Sequence, residues 1–200
     1  MDNPLLRKLE WYVRLSTDDK AALEMPVHAG VQSICAGEDL IREGDRPTFV
    51  HLILKGWACR YKVLEDGRRQ IIAFLLPGDV CDHNVFVLRE MDHSIGALTP
   101  LLYARLPGQM MERLIQTRPR IAQALWWETL VSAATQREWT VNLGQRSAIE
   151  RVSHLICELF VRTQMAGLAD GSSFEFPVTQ ADLAEATGMT SVHVNRVLQE

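Results

Sequence analysis

Two short stretches of the chain gather side chains that can do chemistry. In CDHNVFVLREMDHS, Cys81, Asp82, His83, Asp92 and His93 bring a thiol, carboxylates and imidazoles close together. Such groups can ligate a metal or a haem. A cupin-like metal site would need an HxH pair followed by a Glu and a His, and no HxH occurs. Polar residues are commonplace in loops and turns, so the stretch reads as a packed, partly solvated linker between strands, and no metal site is assigned to it. The second stretch is TQADLAEATGMTSVHVNRVLQE, Thr179 to Glu200. Here Arg196 can form two hydrogen bonds to guanine, and Asn195 can contact adenine or a phosphate. Ser191 can reach phosphate or base, and Val192 can meet a thymine methyl. That chemistry is recognition of bases, and the sequence offers no catalytic constellation beside it.

Base readout needs a rigid frame, and the flanking residues supply one. Thr179 and Asp182 have the spacing of a capping box, which predicts a helix over Gln180 to Thr187 with Leu183 and Ala184 facing inward. Gly188 provides the turn, since a left-handed backbone costs glycine little. Thr190 caps a second helix, Ser191 to Glu200, whose buried side is Val194, Val197 and Leu198. Small Ala184, Gly188 and Val194 let the two helices cross closely, as in a helix-turn-helix. Ser191, Val192, His193, Asn195 and Arg196 then lie on or near the exposed start of a helix able to enter a major groove. With Thr179, Gln180 and Thr190 at the helix starts, they form the candidate DNA-binding set. The competing reading is a solvated surface arginine on an ordinary helix.

Charge does not advertise a nucleic-acid partner. The 200-residue chain carries a formal net charge of -4. From Gln145 to Glu200, Arg146, Arg151, Arg162 and Arg196 face seven acids, Glu150, Glu158, Asp170, Glu175, Asp182, Glu185 and Glu200. The DNA reading rests on pattern alone. With 47% hydrophobic and 23% charged residues the composition is that of a globular protein able to bury a core without staples. Cys35, Cys59, Cys81 and Cys157 include no CxxC pair, which fits reduced thiols in a cytoplasmic protein. The N-terminal stretch mixes charges with apolar residues, so neither a signal peptide nor a membrane span is expected.

Upstream, Leu5, Leu9, Tyr12 and Val13 and a Ser16/Thr17 cap predict two short helices. Glycines then recur at Gly37, Gly44, Gly56, Gly67 and Gly78 between β-rich runs, the pattern of an all-β sandwich or barrel. Its clearest hairpin turns at Glu65-Asp66-Gly67. Pro119 starts a long helix to about Leu143, roughly 37 Å at about 1.5 Å per residue. Its stripe of Trp127, Leu130, Val131, Ala134 and Val141 exceeds what one small β-domain covers, so dimerisation through this helix is expected. Packing of Trp126, Trp127 and Trp139 on their own domain is the plainer alternative. A further helix, about Gln145 to Gln164, should bury Ile149, Val152, Ile156, Leu159 and Phe160, and GLADGSS reads as a flexible connector. Cys35, Cys59 and Cys157 are expected to be buried.

This order of elements resembles the Crp/Fnr family of bacterial transcription regulators. GEDLIREGD, LLPGDV, IQTRP, RSAIERVSHLICEL and VTQADLAEATGMTSVHVNRVLQ carry the resemblance. It implies an α+β fold in three parts. Residues 1–118 would form an effector domain, a double-stranded β-helix or cyclic-nucleotide-binding-like jelly roll; 119–144 the dimerisation helix; and 145–200 a winged helix-turn-helix domain. The family usually continues into a winged hairpin beyond the recognition helix, so this domain is expected to be truncated at Glu200. Implied partners are a second copy, a palindromic double-stranded DNA site and, as a candidate, RNA polymerase. The family's reading positions fall on Ser191, Val192 and Arg196.

The resemblance also locates departures. Members that bind cyclic AMP hold its ribose and phosphate with a Gly-Glu pair and an Arg-Ser pair, and those places carry Asp82-His83 and His93-Ser94. An acid obstructs close backbone approach, and histidine replaces the fixed two-pronged grip of arginine. Cyclic AMP is therefore not expected as effector. An iron-sulfur cluster is not expected either, because no cysteine precedes Cys35. The expected function is transcriptional control by a DNA-binding homodimer responding to an unidentified signal. The rivals are a cupin-like metal-binding β-roll and a ligand-binding module without DNA readout.

Overall fold

A computed structural model describes residues 3–82 and 89–200. The N-terminal residues form α1 (Pro4–Leu9) and α2 (Thr17–Ala29). Asn3 caps α1 and Pro4 opens it, where a missing N–H costs nothing. Ser16 and Asp19 close a capping box on α2.

Eight strands follow: β1 (Val31–Ile34), β2 (Asp39–Ile41), β3 (Phe49–Lys55), β4 (Ala58–Val63), β5 (Arg69–Leu75), β6 (Val80–Cys81), β7 (Ser94–Ala97) and β8 (Leu101–Pro107). They make two four-stranded antiparallel sheets, ordered β1-β8-β3-β6 and β2-β7-β4-β5. The predicted β-sandwich is thus a jelly-roll-like pair of sheets. The turn glycines Gly37, Gly44, Gly56, Gly67 and Gly78 all have φ between 83° and 94°, which explains their recurrence: side chains rarely tolerate that backbone. The hairpin around Gly67 joins β4 to β5, with Val63 opposite Arg69.

The chain then turns helical with α3 (Gly108–Thr117), α4 (Pro119–Gln145) and α5 (Ala148–Met165). Helix α4 is 27 residues long and starts at Pro119. A short hairpin of β9 (Ala169–Asp170) and β10 (Ser173–Phe174) leads to α6 (Gln180–Thr187) and α7 (Ser191–Gln199). The expected flexible connector is therefore a hairpin instead, turning at Gly171 with φ 58°. Its Phe174 packs against Phe160 and Phe176, an apolar anchor that the small and polar residues around it obscured.

Three apolar clusters hold these parts together. Between the sheets lie Ile53, Leu75, Met91, Ile95 and Tyr103. Beneath the first sheet, Leu5, Leu9 and Leu23 meet Val50, Leu52, Met111 and Leu125. On the outer face of the second sheet, Cys59, Ile71 and Phe74 meet Trp139, Leu159, Leu183 and Val194. That last cluster joins the β-roll to α4, α5, α6 and α7, and each fully buried Leu or Phe in it contributes about 1.5–3 kcal/mol.

Several expectations need correction. Cys35 lies just past the end of β1 and is exposed, and Cys157 on α5 is exposed as well, at the border of a cleft between α4 and α5. Helix α5 buries Val152, Leu155, Leu159 and Thr163, leaving Ile149 exposed in its first turn. The face of α5 is rotated from the expected one because Leu155, not Ile149, points at Trp139 and α6. Among the described residues no helix is long and apolar enough to cross a membrane.

Candidate nucleic-acid interface

The frame under α7 is built by local hydrogen bonds. Thr179 Oγ1 accepts from the Asp182 N–H at 3.2 Å, while Asp182 Oδ2 accepts from the Thr179 N–H at 2.9 Å and its hydroxyl at 2.6 Å. Helix α6 ends at Gly188, whose φ of 66° and ψ of 35° place it in the left-handed region. The next N–H, of Met189, donates to Ala184 O at 3.0 Å. Thr190 then caps α7 by accepting from the His193 N–H at 3.2 Å.

Packing decides which side of α7 remains outside. Ala184, Val194 and Val197 are buried, Val194 completely. The third expected core residue, Leu198, is instead 45% exposed in the last turn of α7. Ser191, Asn195 and Arg196 are exposed, and Val192 is 82% exposed; His193 is half-buried. Gln180 and Asn195 touch across the two helices, with Asn195 Nδ2 donating to Gln180 Oε1 at 3.1 Å.

The arginines are distributed unequally. Arg146 pairs with Glu138 at 2.8 Å, and Arg151 donates to the Arg146 and Thr187 carbonyls. Arg162 pairs with Asp79 and Glu158. Among the described residues Arg196 has no ion-pair or hydrogen-bonding partner, so its five donors face solvent. On the opposite side of α6, Gln70 Nε2 donates to Glu185 O and Arg69 lies 3.2 Å from the Glu185 carboxylate, docking the helix on β5. Burial, outweighing Arg69 and assisted by Asp182, raises the Glu185 pKa. Neither docking residue has a spacing that would have marked it in the sequence.

In the β-roll, three of the four effector-pocket candidates are described and already engage one another or the backbone. His93 Nε2 lies 3.1 Å from Asp82 Oδ2 and its Nδ1 lies 2.7 Å from Asp92 Oδ1. Arg60, which the sequence reading missed, approaches Asp82 at 3.2 Å from the inward side of β4. Burial alone would lower the His93 pKa, but its bonds to Asp82 and Asp92 hold it above the ordinary imidazole value. Ser94 Oγ accepts from the Glu43 N–H at 3.0 Å. Asp82 has a φ of 50°, so the backbone here is held in a conformation that few non-glycine residues adopt. His83 lies outside the described residues, as does most of the linker around it. Among the described residues no group of three or more His, Cys, Asp or Glu is arranged to hold a metal ion.

Helix α4 carries the apolar stripe expected of it. Trp127, Leu130, Val131, Ala134 and Val141 are all exposed, as is Trp126, whereas Trp139 is buried against Phe74 and donates to Glu158 at 2.6 Å. Trp127 stacks on Tyr12 with ring centres 6.5 Å apart. Beside the stripe runs a cleft of about 1230 Å³ between β5, α4 and α5, bordered by Phe74, Leu76, Val131, Trp139, Val161 and Met165.

Comparison with known proteins agrees with this geometry. The family profile described as a cyclic nucleotide-binding domain matches residues 31–118, and that described as a Crp-like helix-turn-helix domain matches residues 150–200. The chain is 30% identical over 190 residues to the transcriptional activator protein FnrL of Cereibacter sphaeroides, covering 92% of this chain and 73% of that protein. It is 32% identical over 184 residues to the nitrogen fixation regulation protein FixK of Bradyrhizobium diazoefficiens, covering 90% and 76%. Among solved structures, FixK2 from Bradyrhizobium japonicum superposes with a TM-score of 0.76 at 26% identity, covering 84% of this chain and 82% of that one.

Proposed function

Because the chain belongs to the Crp/Fnr family of transcription regulators, we propose that it binds a palindromic DNA site as a homodimer, with α7 in the major groove, under control of a signal at the β-roll. The observation that carries this reading is the split character of α7. Val194 and Val197 are committed to the core while Arg196, unpartnered among the described residues, stands on the exposed side with Ser191, Val192 and Asn195.

In this reading Arg196 grips a guanine edge with its planar fork, Val192 meets a thymine methyl, and Ser191 contacts phosphate or base. Thr179, Gln180 and Thr190 lie at helix starts, where backbone N–H groups favour phosphate oxygens. The exposed stripe of α4 packs on the same stripe of a second copy, which sets the two α7 helices one turn of DNA apart. His93, Asp82 and Ser94 line the place where a signal would act, and the relatives named activators suggest RNA polymerase as a further partner. An activity as an enzyme is not part of this reading.

Selection of binding sites from a pool of random duplexes by the full chain tests it. The expected product is two inverted half-sites about 10 base pairs apart, centre to centre. Enrichment of a single half-site, or of no sequence, contradicts it.

A further inference from the structure

The last carbonyls of any helix lack partners within it. At the end of α5 some are closed locally, since Gly167 N–H donates to Gln164 O and Leu168 N–H to Thr163 O, both at 2.9 Å. The next two are closed from the far end of the chain. Arg7 Nη1 donates to Ala166 O at 3.1 Å, and Trp11 Nε1 donates to Met165 O at 3.2 Å. Gly167 permits this approach: it has φ 69°, and a Cβ there would stand 2.2 Å from Arg7 Nη1.

One turn earlier on α5, Arg162 donates to Phe74 O at 2.8 Å and to Asp79 at 2.7 Å. Asp79 in turn accepts from Lys8, and Lys8 also pairs with Glu128 on α4. Arg7, Lys8 and Trp11 therefore reach α5, the β5–β6 turn and α4 from one short segment. The other side of that segment is apolar, with Leu5, Leu6 and Leu9 buried beneath the first sheet, so its anchorage does not depend on α5. A guanidinium at a helix C-terminus is also favoured by the helix dipole.

We propose that the N-terminal segment is a clamp: it caps the C-terminal end of α5 from a distant part of the same chain, completes the buried charge network through Lys8, and so fixes the helix-turn-helix against its own β-roll. Any displacement of α1 is then passed to α5 and on to the frame of α7, and Glu128 places α4 on the same route. The clamp stands independently of the DNA reading, because its test is made on the free protein.

The test is amide hydrogen exchange of the full chain against the double variant Arg7→Leu/Trp11→Phe, which keeps the apolar stems and removes both donors. Exchange of amides 163–168 and of α6 is expected to rise about tenfold, while β3 amides Val50 to Leu54 stay unchanged. Unchanged exchange at the end of α5 overturns the clamp. An equal rise in β3 also overturns it, since α1 would then be only a part of the β-roll core. Should the double variant not fold, Trp11→Phe alone carries the same readout.

Discussion

His51 illustrates how a single residue sets a pH limit. It sits beside Tyr103 in the roll with a ring nitrogen, Nδ1, that has no partner among the described residues. Burial, aided by Arg105 and opposed by Asp82, drives its pKa down to about 4. A histidine whose folded value lies below its unfolded one favours the neutral ring, so its stability contribution is complete above an ordinary value of about 6.5. That contribution is lost as the pH falls from there toward about 4, to a total of ~3 kcal/mol. We expect His51→Gln to lose less stability than the parent between neutral and acid pH, measured by urea unfolding at both. Equal losses would show that His51 is not the titrating group. Nothing in the sequence isolates His51, because burial depends on which face of β3 turns inward, and that is settled by the partner strands. Arg60 was hidden for the same reason.

At the scale of elements, the local signals were those carried by few residues. The capping box Thr179–Asp182, the turn at Gly188 and the cap at Thr190 each depend on one backbone conformation and one hydrogen bond, and all are present where the spacing put them. The face of α5 is not legible in the sequence because its apolar residues surround much of the helix, and only the docking of Trp139 and α6 selects Leu155 over Ile149. The GLADGSS hairpin is hidden in the sequence because Phe174, outside the string, fixes it. Gly188 offers a quantitative check. Alanine there must adopt a φ of 66°, and its Cβ would meet Leu143 at 3.4 Å, an ordinary contact, so the cost is conformational. Gly188→Ala is expected to destabilise the chain by about 1–2 kcal/mol in thermal unfolding. A neutral result would mean that the turn between α6 and α7 relaxes.

The whole molecule joins its parts through contacts that no local pattern announces. Arg162 with Asp79, Gln70 with Glu185 and Arg7 with Ala166 link residues far apart in the chain, and the β-roll shares its outer core with α5, α6 and α7. The exposed stripe of α4 is an apolar surface that one chain leaves open. If a second copy covers it, Leu130→Asp buries a charge in an apolar seam and should shift the chain from dimer to monomer in analytical ultracentrifugation. Identical sedimentation of parent and variant would place the subunit contact elsewhere.

Base readout by Arg196 from α7, held by the crossing of α6 and α7, is the step on which specific DNA binding depends. Its most direct test is a salt-dependent binding titration of the full chain and Arg196→Ala on a selected palindrome and on a scrambled duplex. The alanine variant is expected to lose about 1–3 kcal/mol on the palindrome and little on the scrambled duplex, so that discrimination collapses. A variant that discriminates between the two duplexes as well as the parent does would contradict it.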